Sequence, residues 1–196
     1  MKKNIILCGV GGQGIITLSK IIANACANKR LNVTESEIHG MSLRGGSVYS
    51  HIRISDSKIY SSLIPIGKAD IILSLELCET INYLKYLSKK GVAIVSSEKK
   101  NKVSNLHIQK IFSELRGYTH KTIDVKDIAK KENIVGTQNI ILLGVITNYL
   151  PSFEESFRKQ IYKIFKHKGK RILTMNLRAF DTGVKLEHGT SNNPEC

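Results

Sequence analysis

Cysteine is the first scarcity that matters. Only four are present, Cys8, Cys26, Cys78 and Cys196, and no two form a CxxC pair. Local spacing therefore builds neither a zinc site nor an iron–sulfur cluster, and the four are read as reduced thiols. Long hydrophobic runs are missing too. "ADIILSL" and "NIILLGVITNYL" fall well short of the ~20 residues that cross a bilayer, and "MKKNIILCGV" runs into glycine without a cleavage-site pattern. The chain is read as cytoplasmic, with no membrane association. No Pro/Gly/Ser-rich linker divides it, so residues 1–196 are expected to form a single domain with a core over about residues 4–185. Apolar residues make up 41%, which suits a packed core and not a disordered chain.

Negative charge is also scarce: 16 Asp and Glu stand against 30 Lys and Arg, leaving a net +14. Such a field attracts nucleic acid, anionic membrane or an acidic protein, without choosing between them. The lysines of "LSKKG", "SEKKNK", "AKKEN" and "KHKGKR" have no interleaved aromatics. A solvated surface is the plain reading, and nucleic acid is not an expected partner.

What is present begins with "NIILCGV", an apolar run ending in glycine, as a parallel strand buried on both faces requires. In "IITLSKIIANACANK" the residues Ile15, Leu18, Ile22, Ala25 and Cys26 recur at helical spacing. "LNVTESEI" reads as the next strand, completing a strand–helix–strand unit with a right-handed crossover. "SVYSHIRI" and "KIYSSLI", separated by "SDS", predict an antiparallel hairpin. "ADIILSL", a helix over "CETINYLKYLSKK" and "GVAIVSS" then restore the alternation of strand and helix. "HIQKIFSELRG" predicts a helix and "KTIDV" a short strand. From "TQNIILLGVITNYL" onward the chain reads as helical, broken at Pro151. The expected fold class is α/β: a Rossmann-like three-layer sandwich with a mostly parallel sheet, an inserted antiparallel hairpin and a helical C-terminal part.

Gly9, Gly11 and Gly14 satisfy G-x-G-x-x-G between a strand and a helix, with Gly12 and Gln13 inside the turn. Glycines let the backbone turn tightly against a ligand, and the next helix offers free N–H groups. The turn is not a Walker loop, because Ile15 and Ile16 follow the last glycine. Three readings stay open: a dinucleotide site with Glu35 or Glu37 on the ribose, a tight turn without ligand, or a turn facing a phosphate or a partner-bound cofactor. A second loop, "EIHGMSLRGGSVYSHIRIS", sets Arg44 before Gly45 and Gly46. Paired glycines expose N–H groups and arginine clamps carboxylate or phosphate, so Arg44 is the candidate catalytic residue for an acidic substrate. His39 could carry a proton, although a loop histidine is more often only hydrogen-bonded.

Five blocks in order, "GVGGQGIITLSKIIANA", "HGMSLRGGSVYSHIRIS", "KADIILSLELCETINYL", "GTQNIILLGVI" and "NLRAFDTG", resemble the gamma-type subunit or domain of 2-oxoacid:ferredoxin oxidoreductases. "HGMSLRGG" resembles the indolepyruvate branch most, with Leu43 where glutamine is expected. The resemblance implies oxidative decarboxylation of a 2-oxoacid, such as indolepyruvate, with coenzyme A, giving an acyl-CoA, carbon dioxide and reduced ferredoxin. It implies that thiamine diphosphate, Mg and 4Fe-4S clusters belong to a partner alpha subunit, since this chain lacks a GDG-and-asparagine pattern and cluster-spaced cysteines. The chain alone would bind none of them and would be inactive. Gly9, Gly11, Gly12, Gln13, Gly14, Arg44, Gly45 and Gly46 would face the partner's cofactor or CoA, and ferredoxin would be a further partner. Asn139 and Asn176 of the last blocks are read as bracing backbone. The rival readings are a stand-alone nucleotide-binding or regulatory Rossmann module and a basic nucleic-acid-binding protein.

Overall fold

The computed structural model describes residues 1–40, 45–97 and 104–186. They fall into two compact units, Met1–Val125 and Lys126–Cys196.

The first unit runs β1 (Lys2–Val10), α1 (Ile15–Asn28), β2 (Asn32–His39), β3 (Ser47–Ser55), β4 (Ala69–Ser74), α2 (Leu77–Leu84), β5 (Leu87–Ser96), α3 (Asn105–Leu115) and β6 (His120–Ile123). Its six strands form one sheet in the order β2-β3-β1-β4-β5-β6. β1, β4, β5 and β6 pair in parallel, while β3 runs antiparallel to both β1 and β2. Strand side chains alternate between faces. Ile6, Cys8, Ile72, Ala93 and Val95 pack with Leu77, Leu84, Ile111 and Leu115 of α2 and α3. Ile5 and Leu7 point the other way, where α1 buries Leu18, Ile21 and Ile22. This is the expected Rossmann-like three-layer sandwich with a mostly parallel sheet and an antiparallel part.

Two local expectations are corrected. The hairpin between "SVYSHIRI" and "KIYSSLI" does not form, because β1 and β2 already occupy both edges of β3. β2 and β3 make the antiparallel hairpin instead, and residues 56–68 cross to β4 without strand or helix. The helix read over "CETINYLKYLSKK" stops at Leu84. Ala69 N–H donates to the Tyr86 carbonyl at 2.7 Å, drawing the chain into β5 so that Lys89 and Lys90 lie on a strand.

The second unit is helical: α4 (Val125–Lys131), α5 (Gln138–Ile146), α6 (Glu154–Phe165) and α7 (Lys170–Lys185). Sequence reading missed α4, whose "AKKEN" end looked only like a charge cluster. Pro151 opens a short 3-10 turn before α6, where its missing N–H costs nothing. Phe153, Phe157 and Phe180 are fully buried. α5 is apolar all round, burying every residue from Ile140 to Ile146. It meets α7 through Gly144 and Gly183, whose backbones approach so closely that an added Cβ would overlap the facing helix. Asn176 donates to the Ile172 carbonyl at 2.8 Å, and Asn139 Oδ1 accepts from Ile140 N–H at 2.9 Å. Both asparagines brace backbone.

Among the described residues Cys8, Cys26 and Cys78 are free thiols. Burial pushes Cys8 and Cys26 up to about 12, against a small opposing hydrogen bond from Ser74 at Cys8 and the nearby Lys29 charge at Cys26. Alkylation depends on thiolate and access. In the native chain at pH 8, iodoacetamide should therefore modify half-buried Cys78 at least about a hundredfold faster than Cys8 or Cys26. Peptide mapping by mass spectrometry reads this directly, and equal rates before unfolding would contradict the described burial.

Candidate functional site

The site is built where the carboxyl end of β1 meets the amino end of β3, at the pair Val10↔Ser47. Gly9 has no room for a side chain: a Cβ would stand 2.5 Å from Gln13 Oε1 and 3.2 Å from Leu75 Cβ. The Gln13 side chain folds back over the turn, its Oε1 accepting Val10 N–H at 2.9 Å, while Gln13 N–H donates to the Val10 carbonyl at 3.2 Å. Gly12 takes φ +94°, a left-handed angle that a side chain resists even though the space is open. Gly14 then enters α1 with no side-chain cap on the helix, leaving first-turn N–H groups at the rim of the turn.

The second glycine loop returns to the same place. Gly11 N–H donates to the Gly46 carbonyl at 2.9 Å, and Gly45 reaches its position at φ +71°. Thus Gly9, Gly11, Gly12, Gln13, Gly14, Gly45 and Gly46 gather at one end of the sheet, where β1 stops and β3 begins. Arg44, with Leu43 of the same loop, lies outside the described residues. His39 is the last residue of β2, opposite Val48.

The base of the site comes from β4 and α2. Leu75 N–H donates to the Cys8 carbonyl at 2.8 Å, and Gln13 Nε2 donates to Glu76 Oε2 at 3.0 Å. Ser74 Oγ and Thr80 Oγ1 hold the Glu76 carbonyl at 2.8 and 3.2 Å. Ser47 Oγ donates to Glu79 Oε2 at 2.7 Å and stands 3.2 Å from the Tyr83 hydroxyl. Burial raises the Tyr83 phenol well above its ordinary range, so it stays protonated and able to donate. Chain crossovers leave β1 and β4 in opposite directions along the sheet, and ligands of open α/β sheets sit at such a switch point. Backbone donors line one rim here, with two carboxylates beneath. Sequence reading missed Glu76, Glu79, Ser47 and Tyr83. The signal was an acid directly after a buried strand, in "ADIILSLELCET".

The expected ribose acid fares differently. β3 separates β2 from β1, and Glu35 lies under α1, where Ser19 Oγ donates to its carboxylate and also stands 3.0 Å from Ser50 Oγ. Burial raises the Glu35 carboxyl, Ser19 partly offsets this, and neighbouring Glu37 raises it further. Glu35 is engaged away from the glycine turn. Among the described residues, no three His, Cys, Asp or Glu side chains gather as a metal-ligand set. A cavity of about 510 Å³ does exist, but at the amino end of β1, lined by Lys2, Arg53, Lys58 and Tyr60 among others, and by none of the candidate residues.

The profile described as pyruvate ferredoxin/flavodoxin oxidoreductase matches residues 4–186 of this chain. The chain belongs to that family. Within it, similar relatives include the indolepyruvate oxidoreductase subunit IorB of Archaeoglobus fulgidus, 36% identical with 93% of this chain and 94% of that protein covered. The same subunit of Methanothermobacter thermautotrophicus is 35% identical, covering 93% and 96%. Among solved structures, the pyruvate oxidoreductase subunit PORC of Thermotoga maritima superposes with a TM-score of 0.72 at 22% identity, over 94% of this chain and 96% of its own. A 2-oxoglutarate:ferredoxin oxidoreductase of Magnetococcus marinus gives 0.80 at 22% identity, over 98% of this chain. This chain spans only 32% of that protein. Both likenesses concern the fold, and agree with the family in it.

Proposed function

We propose that this chain is a gamma-type subunit of a 2-oxoacid:ferredoxin oxidoreductase, with indolepyruvate or another aryl pyruvate as substrate. Residues 1–196 would act as one domain of a cytoplasmic enzyme. No helix among the described residues is long and apolar enough to cross a membrane. The hydrogen bond from Gly11 to the Gly46 carbonyl carries the reading, because it fastens the two glycine loops into one surface at the end of β1. The family supports it, as do relatives named as indolepyruvate oxidoreductase subunits.

In this reading the partner alpha subunit holds thiamine diphosphate, Mg and 4Fe-4S clusters. Thiamine diphosphate would supply carbanion stabilisation and the clusters electron transfer. The residues described here suit a covering role: Cys8 and Cys26 are buried singly, and the exposed parts of the site are backbone at Gly11, Gly12 and Gly45. Gly9, Gly11, Gly12, Gln13, Gly14, Gly45 and Gly46 would form a wall that excludes water from the partner's active site and orients CoA, the co-substrate. Arg44 would clamp the acid group of substrate or CoA. Ferredoxin is the proposed electron acceptor. A stand-alone nucleotide module is not favoured, since the family and the relatives named as oxidoreductase subunits point elsewhere.

Co-expression with a thiamine- and cluster-bearing alpha subunit tests this. A stable complex should form, and anaerobic ferredoxin reduction dependent on indolepyruvate and CoA should require both chains. Full activity of the alpha chain alone would overturn the proposal.

A further inference from the structure

The crossing between β3 and β4, residues 56–68, has no strand or helix, yet it is tied down along its length. Arg53 Nη1 donates to the carbonyls of Ser61 at 2.8 Å and Leu63 at 3.3 Å. Ile64 is 2% exposed and belongs to the core under α2 and α3. Its N–H donates to Nδ1 of buried His51 at 3.0 Å, and that ring lies 5.6 Å from Tyr49 and 5.5 Å from Tyr86. Gly67 N–H donates to the Lys85 carbonyl at 3.0 Å. Long loops held this firmly inside a domain are commonly functional.

The loop turns apolar side chains outward. Tyr60 is 88% exposed, Leu63 54% and Ile66 65%, so three large hydrophobic residues project within seven positions, on either side of buried Ile64. Scattered exposed apolar residues need no explanation, but a cluster marks an interaction site. Cations rim it. Lys58 Nζ stands 5.3 Å over the Tyr60 ring, Lys85 Nζ lies 5.6 Å over Tyr86, and Lys68 ends the loop. The adjoining cavity of about 510 Å³ adds Lys2 and Arg53. The carboxylate at its edge, Asp56, is bonded by the Met1 ammonium.

We infer that residues 56–68 are a preformed docking surface for a permanent partner subunit that offers an apolar pocket rimmed by carboxylates. The inference rests on the subunit reading above and names the surface by which assembly occurs. Its chemistry selects the occupant. Obligate interfaces are apolar at their centre, whereas transient redox encounters are small and mostly polar, so Tyr60, Leu63 and Ile66 fit a resident subunit better than a passing electron carrier. A second copy of this chain would bring cations against cations, which is repulsive. The ties through Arg53, Ile64 and His51 leave little ordering entropy to lose on binding.

The test uses the complex of this chain with the alpha subunit. The double variant Leu63→Asp/Ile66→Asp should fold as wild type, since both residues are exposed, and circular dichroism and thermal unfolding of the isolated chain check this. Its dissociation constant for the alpha subunit should rise about a hundredfold, as loss of central apolar anchors does. Leu106→Asp, at a residue 77% exposed on α3, should leave affinity within a factor of about two. Lys58→Glu/Lys68→Glu should slow association about tenfold with little change in dissociation. Wild-type complex with undiminished affinity in the Leu63/Ile66 variant overturns the docking surface alone. Failure of the wild-type chains to associate overturns the subunit reading and this inference together. Self-association of the isolated chain that the same variant abolishes assigns the surface to a second copy, and also overturns it.

Discussion

Gly183→Ala should destabilise the protein by about 3 kcal/mol and lower its melting temperature by roughly 10 °C. Alanine is the better helix former, by about 1 kcal/mol, so propensity alone predicts the opposite sign. Close packing decides against it. A Cβ at Gly183 would overlap the Ile141 carbonyl oxygen and stand 2.9 Å from Gly144 Cα. The obstacle is backbone on the facing helix, which cannot rotate aside as a side chain could. α5 and α7 would have to part, thinning the packing around Phe180, Ile141 and their fully buried neighbours. Gly117→Ala is the comparison, because its nearest neighbour would be the Glu114 carbonyl at an ordinary 3.5 Å. It should change stability by less than about 0.5 kcal/mol. Equal melting temperatures for Gly183→Ala and wild type would sink the account of the α5–α7 contact.

The second large effect is electrostatic. Gln13→Glu keeps an oxygen for Val10 N–H but replaces the Nε2 donor that now bonds Glu76, leaving two carboxylates about as close as the present 3.0 Å. Like charges at that distance force the pair to retain a proton, raising its folded-state pKa above the unfolded carboxyl value of about 4.3. The folded state then binds more protons than the unfolded one, so stability falls as pH rises through that interval. The penalty should be nearly absent at pH 4 and reach about 1–2 kcal/mol at pH 7.5. In the assembled enzyme, turnover should drop about tenfold at pH 7.5, because the carboxylates separate by moving the glycine turn. Gln13→Met, which loses both hydrogen bonds without adding charge, should cost stability to the same extent at either pH. Urea unfolding of both variants at pH 4.5 and 7.5 distinguishes them, and a pH-independent loss in Gln13→Glu would refute the repulsion.

Much of the fold was legible because its signals are local. The run Ile5, Ile6, Leu7, Cys8 before glycine is the buried strand that its composition predicts, parallel to β4 although antiparallel to β3, and Gly9, Gly11 and Gly14 mark the turn into α1. The strand predicted over "SVYSHIRI" is β3, which begins at Ser47 directly after Gly45 and Gly46. What was hidden depends on distant pairing. "KIYSSLI" has the composition of a strand, and only the occupation of both β3 edges, by residues 2–10 and 32–39, denies it a ladder. Lys89 and Lys90 joined β5 because of a hydrogen bond reaching back to Ala69. Glu76 escaped notice for the same reason: its link to Gln13 spans 63 positions, and no short pattern announces it. Glu35 and Glu37 were candidate ribose acids only under a spacing rule that presumes β2 beside β1, where β3 lies instead.

That interposed strand also bears on how the chain acquires its structure. β1 and β2, though joined by a single helix, do not pair with each other, and each pairs with β3 instead. The shortest route is for β2 and β3 to pair first, beginning near His39 and Val48, where only a short loop needs closing. Docking that ribbon onto β1 comes later, since it brings Lys2 to Ser55 across the length of the ribbon and α1. On that route the glycine-bearing loop before Ser47 closes early, and it is the same loop proposed above as part of the wall over the partner's active site. Substitutions in that loop would then change the rate of folding as well as the finished surface.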